Sequence, residues 1–269
     1  MIPYESYLRI EKFPHIWCTG CGCGIVLKGI LRAIHRMALR KDDVVMVSGI
    51  GCSSRTPGYV DFNTLHTTHG RAIAFATGVK LAKPQLHVIV VTGDGDATAI
   101  GGNHLIHAAR RNINLTVVLY NNHIYGMTGG QSSPTTPPGG YGTTTPYGNI
   151  EQEFDICKLA EAAGASFVAR TTAYHAVQIG RLVEQAIAKR GFALVEVLTP
   201  CPTYFGRKNR LGSAIEMLRW QKEHSLPVKA ALKLTSEELA DKVITGVLVD
   251  REKPEYTDEY ARLVERCRT

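Results

Sequence analysis

The chain has 269 residues, 44% hydrophobic and 20% charged, which is globular composition at a length that buries a core without disulfide or metal staples. No apolar run reaches the roughly 18–20 residues of a bilayer span. The opening residues lack a basic stretch followed by an apolar one, so no membrane association is expected and a cytoplasmic location is. Net charge is +7, from 31 Lys and Arg against 24 Asp and Glu, which suits a polyanionic ligand or an acidic protein partner. Nucleic acid is not expected, because no basic block is longer than Arg207-Lys208-Asn209-Arg210.

Along the chain, residues 1–23 read as irregular and end in a Cys/Gly loop. Ile25, Leu27, Ile30, Leu31, Ile34 and Met37 recur near a 3.6 period and predict a helix over 24–40. A short strand at 43–47 turns out through Ser48-Gly49-Ile50-Gly51-Cys52. Small residues (Gly70, Ala72, Ala74, Ala76, Gly78) suit close packing of a helix over 69–83. An apolar strand at 85–91, a helix at 98–111 and an apolar strand at 115–120 follow. The stretch 126–148 is nearly all Gly, Pro, Thr, Ser and Tyr and predicts a long ordered loop or lid. A helix at 154–163, a strand at 166–170, a helix at 173–190 and a strand at 192–198 complete the alternation. Such a rhythm predicts an α/β fold with a doubly wound parallel sheet. The texture then becomes charged and helical. Residues 1–205 are therefore expected to form the α/β domain, and 206–269 a C-terminal extension for subunit contact.

Two groups of residues carry chemistry. The first follows the buried strands. Gly93-Asp94-Gly95-Asp96 leaves one strand and Asn121-Asn122-His123-Ile124-Tyr125-Gly126 ends the next. In open α/β sheets ligands bind at the carboxyl ends of strands. Glycines allow close backbone approach, and Asp94 is a hard oxygen ligand of the type Mg²⁺ takes beside phosphates. If the two strands are neighbours, the Asn122 side-chain oxygen and the Ile124 carbonyl reach the same ion. Dinucleotide and P-loop patterns are absent: position 98 is Thr where a third glycine belongs, and no G-x-x-x-x-G-K-[ST] occurs.

The second group is cysteine. Seven are present, with Cys18, Cys21 and Cys23 in one loop, and Cys52 and Cys201 each beyond a strand. Spacing alone leaves open an iron–sulfur cluster, a structural zinc, a thioredoxin-like redox pair and plain buried thiols. A zinc site would want a second close-spaced pair. Cys157 falls in a predicted helix, and Cys267 near the tail carries no motif.

Trp-Cys-x-Gly-Cys-Gly (17–22), Ile-Gly-Cys-Ser (50–53), His-x-x-His-Gly-Arg (66–71), Gly-Asp-Gly-Asp (93–96) and Thr-Pro-Cys-Pro (199–202) occur in that order. Across about 10–210 this resembles the β subunit of 2-oxoacid:ferredoxin oxidoreductases. The Gly-Asp-Gly and Asn-Asn pair itself resembles the thiamine-diphosphate motif. The resemblance implies thiamine diphosphate with Mg²⁺ on Asp94, Asn122 and the Ile124 carbonyl, and a [4Fe–4S] cluster on Cys18, Cys21, Cys52 and Cys201, with Cys23 a rival to Cys21 that the family pattern disfavours. It places Gly51, Cys52, Ser53, His69, Gly70, Gly93, Asp94, Gly95, Asp96, Asn122, Ile124, Gly126, Met127 and Thr128 around the cofactor, with His69 and Arg71 in catalytic positions.

It further implies CoA-dependent oxidative decarboxylation of a 2-oxoacid to an acyl-CoA and CO₂, in either direction, with electrons passing to ferredoxin. An α subunit would supply the pyrimidine-binding domain and the activating Glu, in an (αβ)₂ heterotetramer. The strings at 125–131 and 199–209 are closer to 2-oxoglutarate members than to pyruvate members; pyruvate or branched-chain specificity is the alternative. Outside this family, the competing expectations are a thiamine-diphosphate decarboxylase or synthase subunit without a cluster, and a zinc-stabilised nucleotide-binding module.

Overall fold

The computed structural model describes residues 2–268. Its helices and strands, in chain order, are α1 (Cys23–Arg36), β1 (Val44–Ser48), α2 (Thr56–Tyr59), β2 (Asn63–His66), α3 (Ala72–Ala82), β3 (His87–Gly93), α4 (Gly102–Arg111), β4 (Thr116–Asn121), β5 (Ile124–Tyr125) and β6 (Gln131–Ser132). Then come α5 (Ile156–Ala162), β7 (Phe167–Thr172), α6 (Ala176–Ala188), β8 (Ala193–Leu198), α7 (Ala214–His224), β9 (Ser225–Pro227), α8 (Val228–Ala231), α9 (Ser236–Leu239), β10 (Val243–Asp250) and α10 (Tyr256–Arg268).

Eight strands form one sheet in the order β2-β1-β3-β4-β8-β7-β10-β9. All neighbours are parallel except β10, which runs antiparallel to β7. Successive residues of a strand point to opposite faces, and each central strand accordingly feeds two cores. Met46, Ile89, Val91 and Val118 pack with α1 and α6 on one face. Val45, Val47, Val88, Val90, Val117 and Leu119 pack with α3, α4 and α5 on the other. Burial on both faces is why these strands read as unbroken apolar runs rather than alternating ones. The doubly wound parallel sheet is as expected.

Close packing of α1 on α6 depends on Gly29, where an added Cβ would lie 2.4 Å from Ile179 Cγ2. That brings α6 onto α1 and sets α1's first turn, with Cys23, beside the exit of β8.

Three expectations need correction. The helix expected from 69 starts at Ala72, because 69–71 form a loop that binds Asp96. The helix expected from 98 opens with a π turn over Asp96–Ile100 before α4. Residues 206–269, expected without a further strand, return β10 to the main sheet beside β7. Two features hide β10 in the sequence: Gly246 at φ +117°, and a register shift between Val247 and Val249. Both break the period of two that marks a strand. The boundary at 205/206 therefore cuts across one sheet. Finally, 126–148 is ordered as predicted and contains the short β6, paired antiparallel with β5.

Candidate functional site

The four neighbouring strands β1, β3, β4 and β8 all end on the same edge. Their exit loops are 49–53, 94–96, 122–128 and 199–201, and the first three line one cleft. Its walls are Ile50, Gly51, Cys52, Ser53, His69, Gly93, Asp94, Gly95, Asp96, Asn122, Ile124, Gly126, Met127 and Thr128, with Cys23, Tyr120 and Tyr125.

Asp94 is buried, and burial pushes its carboxyl above the ordinary range against the lowering hydrogen bonds it accepts. Those come from Ser133 Oγ at 2.5 Å and Thr135 Oγ1 at 2.7 Å, both on its Oδ2. Asn122 Oδ1 accepts the Ile124 N–H at 3.2 Å, across His123 at φ +61°. Asn122 and Ile124 line the cleft together with Asp94. An amide oxygen has two lone pairs, so one remains for a ligand. Among the described residues, Ser53 Oγ is buried without a hydrogen-bond partner, as is its neighbour Ser54 Oγ. An orphaned hydroxyl in a cleft wall is a donor waiting for an acceptor of the phosphate kind.

Asp96 has a different task. Its Oδ1 accepts from His69 Nδ1 at 2.5 Å, the Gly70 N–H at 2.7 Å and the Ile50 N–H at 3.3 Å, while its Oδ2 accepts from Thr92 at 2.8 Å. Both oxygens are thus spent on joining three loops and orienting His69. Tyr125 stands edge-on to His69, with ring centroids 5.9 Å apart, and donates its hydroxyl to the Gly95 carbonyl. Burial, with Asp94 and Asp96 nearby, pushes its phenol up to about 12. Gly95 has to be glycine, since a Cβ there would meet the Tyr125 ring at 2.2 Å.

The thiols converge on the same edge. A Cβ on Gly126 would lie 3.5 Å from Cys52 Sγ and 3.6 Å from Cys201 Sγ, so both face that glycine. Trp17 Nε1 donates to the Cys52 carbonyl at 2.7 Å. Gly22, at φ +81°, packs against Pro200 and Ala173, which brings the Cys18–Cys21 loop to the exit of β8. Burial pushes the Cys52 thiol up to about 12, helped by Cys201, Cys21, Cys18 and Asp94 around it. Cys21 is lowered to about 7 by Cys23 beside it. Thiols gathered at one edge, with Cys52 and Cys201 resisting ionisation through burial, are groups a cationic centre deprotonates.

Among the described residues, no group of three or more His, Cys, Asp or Glu is spaced for a single ion. The donor set fits other arrangements. One carboxylate, one amide and one carbonyl leave positions for phosphate and water on Mg²⁺. Four scattered thiols suit a cluster, in which each binds a different iron.

Of the residues expected at the cofactor, all line the cleft except Gly70, which holds Asp96 from behind. Arg71 is not brought into it: its guanidinium donates to the Ile100 carbonyl at 2.9 Å. Arg207, Lys208 and Arg210 are exposed and do not line it. Ile50, Tyr120 and Tyr125 also line the walls without having been expected there, although Ile50 and Tyr125 flank the motifs, and Cys23, the rival to Cys21, lines them too. The sequence reading also missed Ser133 and Thr135, for which a Ser/Thr/Pro loop carries no local signal.

Residues 49–197 match the family described as thiamine pyrophosphate enzyme, C-terminal TPP binding domain. The chain is 54% identical over 263 residues to the 2-oxoglutarate synthase subunit KorB of Methanothermobacter marburgensis, covering 98% of this chain and 92% of that one. It is 52% identical over 269 residues to the subunit of the same name from Methanocaldococcus jannaschii, covering 100% of both. A similar solved structure is the 2-oxoglutarate:ferredoxin oxidoreductase from Magnetococcus marinus with 2-oxoglutarate, coenzyme A and succinyl-CoA bound. It superposes with a TM-score of 0.89 at 36% identity, covering 99% of this chain and 91% of that chain.

Proposed function

The chain belongs to the thiamine-diphosphate enzymes, as a β subunit of the 2-oxoglutarate:ferredoxin oxidoreductase type, and on that premise we propose that its cleft and thiols form one electron-yielding centre. It serves the CoA-dependent oxidative decarboxylation of 2-oxoglutarate to succinyl-CoA. The observation that carries the reading is that Asp94, Asn122, Ser53 and Cys52 line one cleft, and that Gly126 in its wall faces both Cys52 Sγ and Cys201 Sγ.

When bound, thiamine diphosphate supplies the carbon nucleophile and electron sink that cleavage of the 2-oxoacid requires. The chain's own residues hold and surround it. Asp94, Asn122 and the Ile124 carbonyl hold Mg²⁺. Ser53, the glycines at 51, 93 and 126, and the loop through Met127 and Thr128 receive the diphosphate. His69, oriented by Asp96 at Nδ1, has Nε2 as its acceptor nitrogen for a proton on the substrate side. Cys18, Cys21, Cys52 and Cys201 would hold a [4Fe–4S] cluster, whose chemistry when bound would be one-electron transfer toward ferredoxin.

The described helices of this chain give no second α/β unit to close over the cleft. An α subunit is therefore assigned the pyrimidine side and its activating Glu, within an (αβ)₂ assembly to which 206–269 contributes contacts. The basic excess suits docking of an acidic ferredoxin. No helix among the described residues is long and apolar enough to cross a membrane, and a cytoplasmic location accords with that.

The substrate is tested on the αβ complex by CoA-dependent dye reduction across a panel of 2-oxoacids. The highest kcat/KM is expected with 2-oxoglutarate. A higher value with pyruvate or a branched-chain acid would overturn the substrate assignment.

A further inference from the structure

Asp94 meets the cleft with only one of its oxygens free. Its Oδ2 is held by Ser133 and Thr135 at 2.5 and 2.7 Å, and no side chain among the described residues donates to its Oδ1. The two hydroxyls are buried with it: Asp94 is 3% exposed, Ser133 6% and Thr135 1%. They are also fixed from behind. Thr135 Oγ1, whose one proton goes to the nearer Asp94 Oδ2, packs 3.0 Å from Asn121 Oδ1, which accepts the His123 N–H, and Asn121 Nδ2 donates to Glu196 at 2.8 Å. Glu196 is buried and paired with Arg170 at 2.6 Å. The loop that carries the hydroxyls is pinned in turn, because Thr136 Oγ1 accepts the Ser133 N–H at 2.9 Å and donates to the His123 carbonyl at 2.7 Å. This is a built clamp on one carboxylate oxygen.

A clamped carboxylate cannot chelate a cation through both oxygens without giving up both hydrogen bonds. That matters differently for two common ions. Ca²⁺ takes six to eight oxygens at longer range and accepts bidentate carboxylates, whereas Mg²⁺ demands near-octahedral geometry with single-oxygen ligands. We propose that Ser133 and Thr135 are positioning residues that restrict Asp94 to one-oxygen ligation, and so make the site select Mg²⁺ against Ca²⁺. The inference rests on the reading of Asp94 as a cation ligand.

The test uses the αβ complex stripped of thiamine diphosphate and divalent cations. Cofactor retention is measured by equilibrium dialysis against rising Mg²⁺ or rising Ca²⁺. Wild type is expected to need less Mg²⁺ than Ca²⁺. In the Ser133→Ala/Thr135→Val double variant the Mg²⁺ requirement should rise about 10–100-fold, as for other residues that orient metal ligands. The Ca²⁺ requirement should rise far less, narrowing the ratio at least about tenfold on the same basis. Thr135→Ser, which keeps a hydroxyl, should retain the wild-type ratio. Equal losses for both ions, or an unmoved ratio, would overturn the proposal. Should the double variant fail to fold, Thr135→Val is judged by the same ratio. Cation-independent retention in wild type would remove the Asp94 reading, and this inference with it.

Discussion

Asp94→Ala should yield a complex that keeps its iron and loses its thiamine diphosphate. Asp94 is the one carboxylate of the cleft with an oxygen free for a cation, since Asp96 spends both of its oxygens on His69, Gly70, Ile50 and Thr92. A metal ion clamping a phosphorylated ligand is worth several kcal/mol. At about 1.4 kcal/mol per tenfold, activity at fixed cofactor should fall on the order of a thousandfold. The substitution also leaves Ser133 and Thr135 without their acceptor, so the loop will loosen. Asp94→Asn separates the two effects, because it keeps the shape and an acceptor while removing the charge. Cofactor content by denaturation and thiochrome fluorescence, beside iron content, reads both variants. Full retention of thiamine diphosphate in Asp94→Asn would show that another group carries the cation.

Cys201→Ala should give the reverse: cofactor retained, iron lost, and ferredoxin-linked turnover reduced to background. Cys201 is buried, and its thiol faces Gly126 together with Cys52. The Cys18–Cys21 loop is brought to it by Gly22 packing on Pro200. A four-iron cluster needs four thiolates, and three cannot complete it. Cys23 is the one nearby thiol that could substitute, since it is buried next to Cys21 and lines the cleft. Rescue by Cys23 would appear as partial iron in Cys201→Ala and none in the Cys23→Ala/Cys201→Ala double variant. Iron content of Cys201→Ala equal to wild type in both backgrounds would remove Cys201 from the ligand set.

Much of this site was legible because each apolar run ends in residues that serve no strand. Gly93-Asp94-Gly95 and Asn121-Asn122 close β3 and β4, and the sheet pairs those strands directly. Cys52 and Cys201 follow β1 and β8, the next strands outward. Strand order turns sequence-distant loops into neighbours, and parallel topology puts their exits on one edge.

What could not be read depended on side-chain direction. Arg71 belongs to a motif, yet it turns to the Ile100 carbonyl. Asp96 looks equivalent to Asp94, yet both of its oxygens are spent on the groups beside it in the cleft wall. Ser133 and Thr135 reach Asp94 from a loop whose composition carries no period. β10 was lost to a glycine at positive φ and a bulge, both of which erase alternation.

The direct test is electronic. The anaerobically purified complex, assayed for thiamine diphosphate and iron, is mixed with 2-oxoglutarate in the absence of ferredoxin and frozen for EPR. A reduced-cluster signal that appears with substrate, and is missing from Asp94→Ala and from Cys201→Ala, is the predicted result. A wild-type complex loaded with both groups that stays silent on mixing, or whose cysteines hold zinc, would contradict the joining of cleft and thiols in one centre.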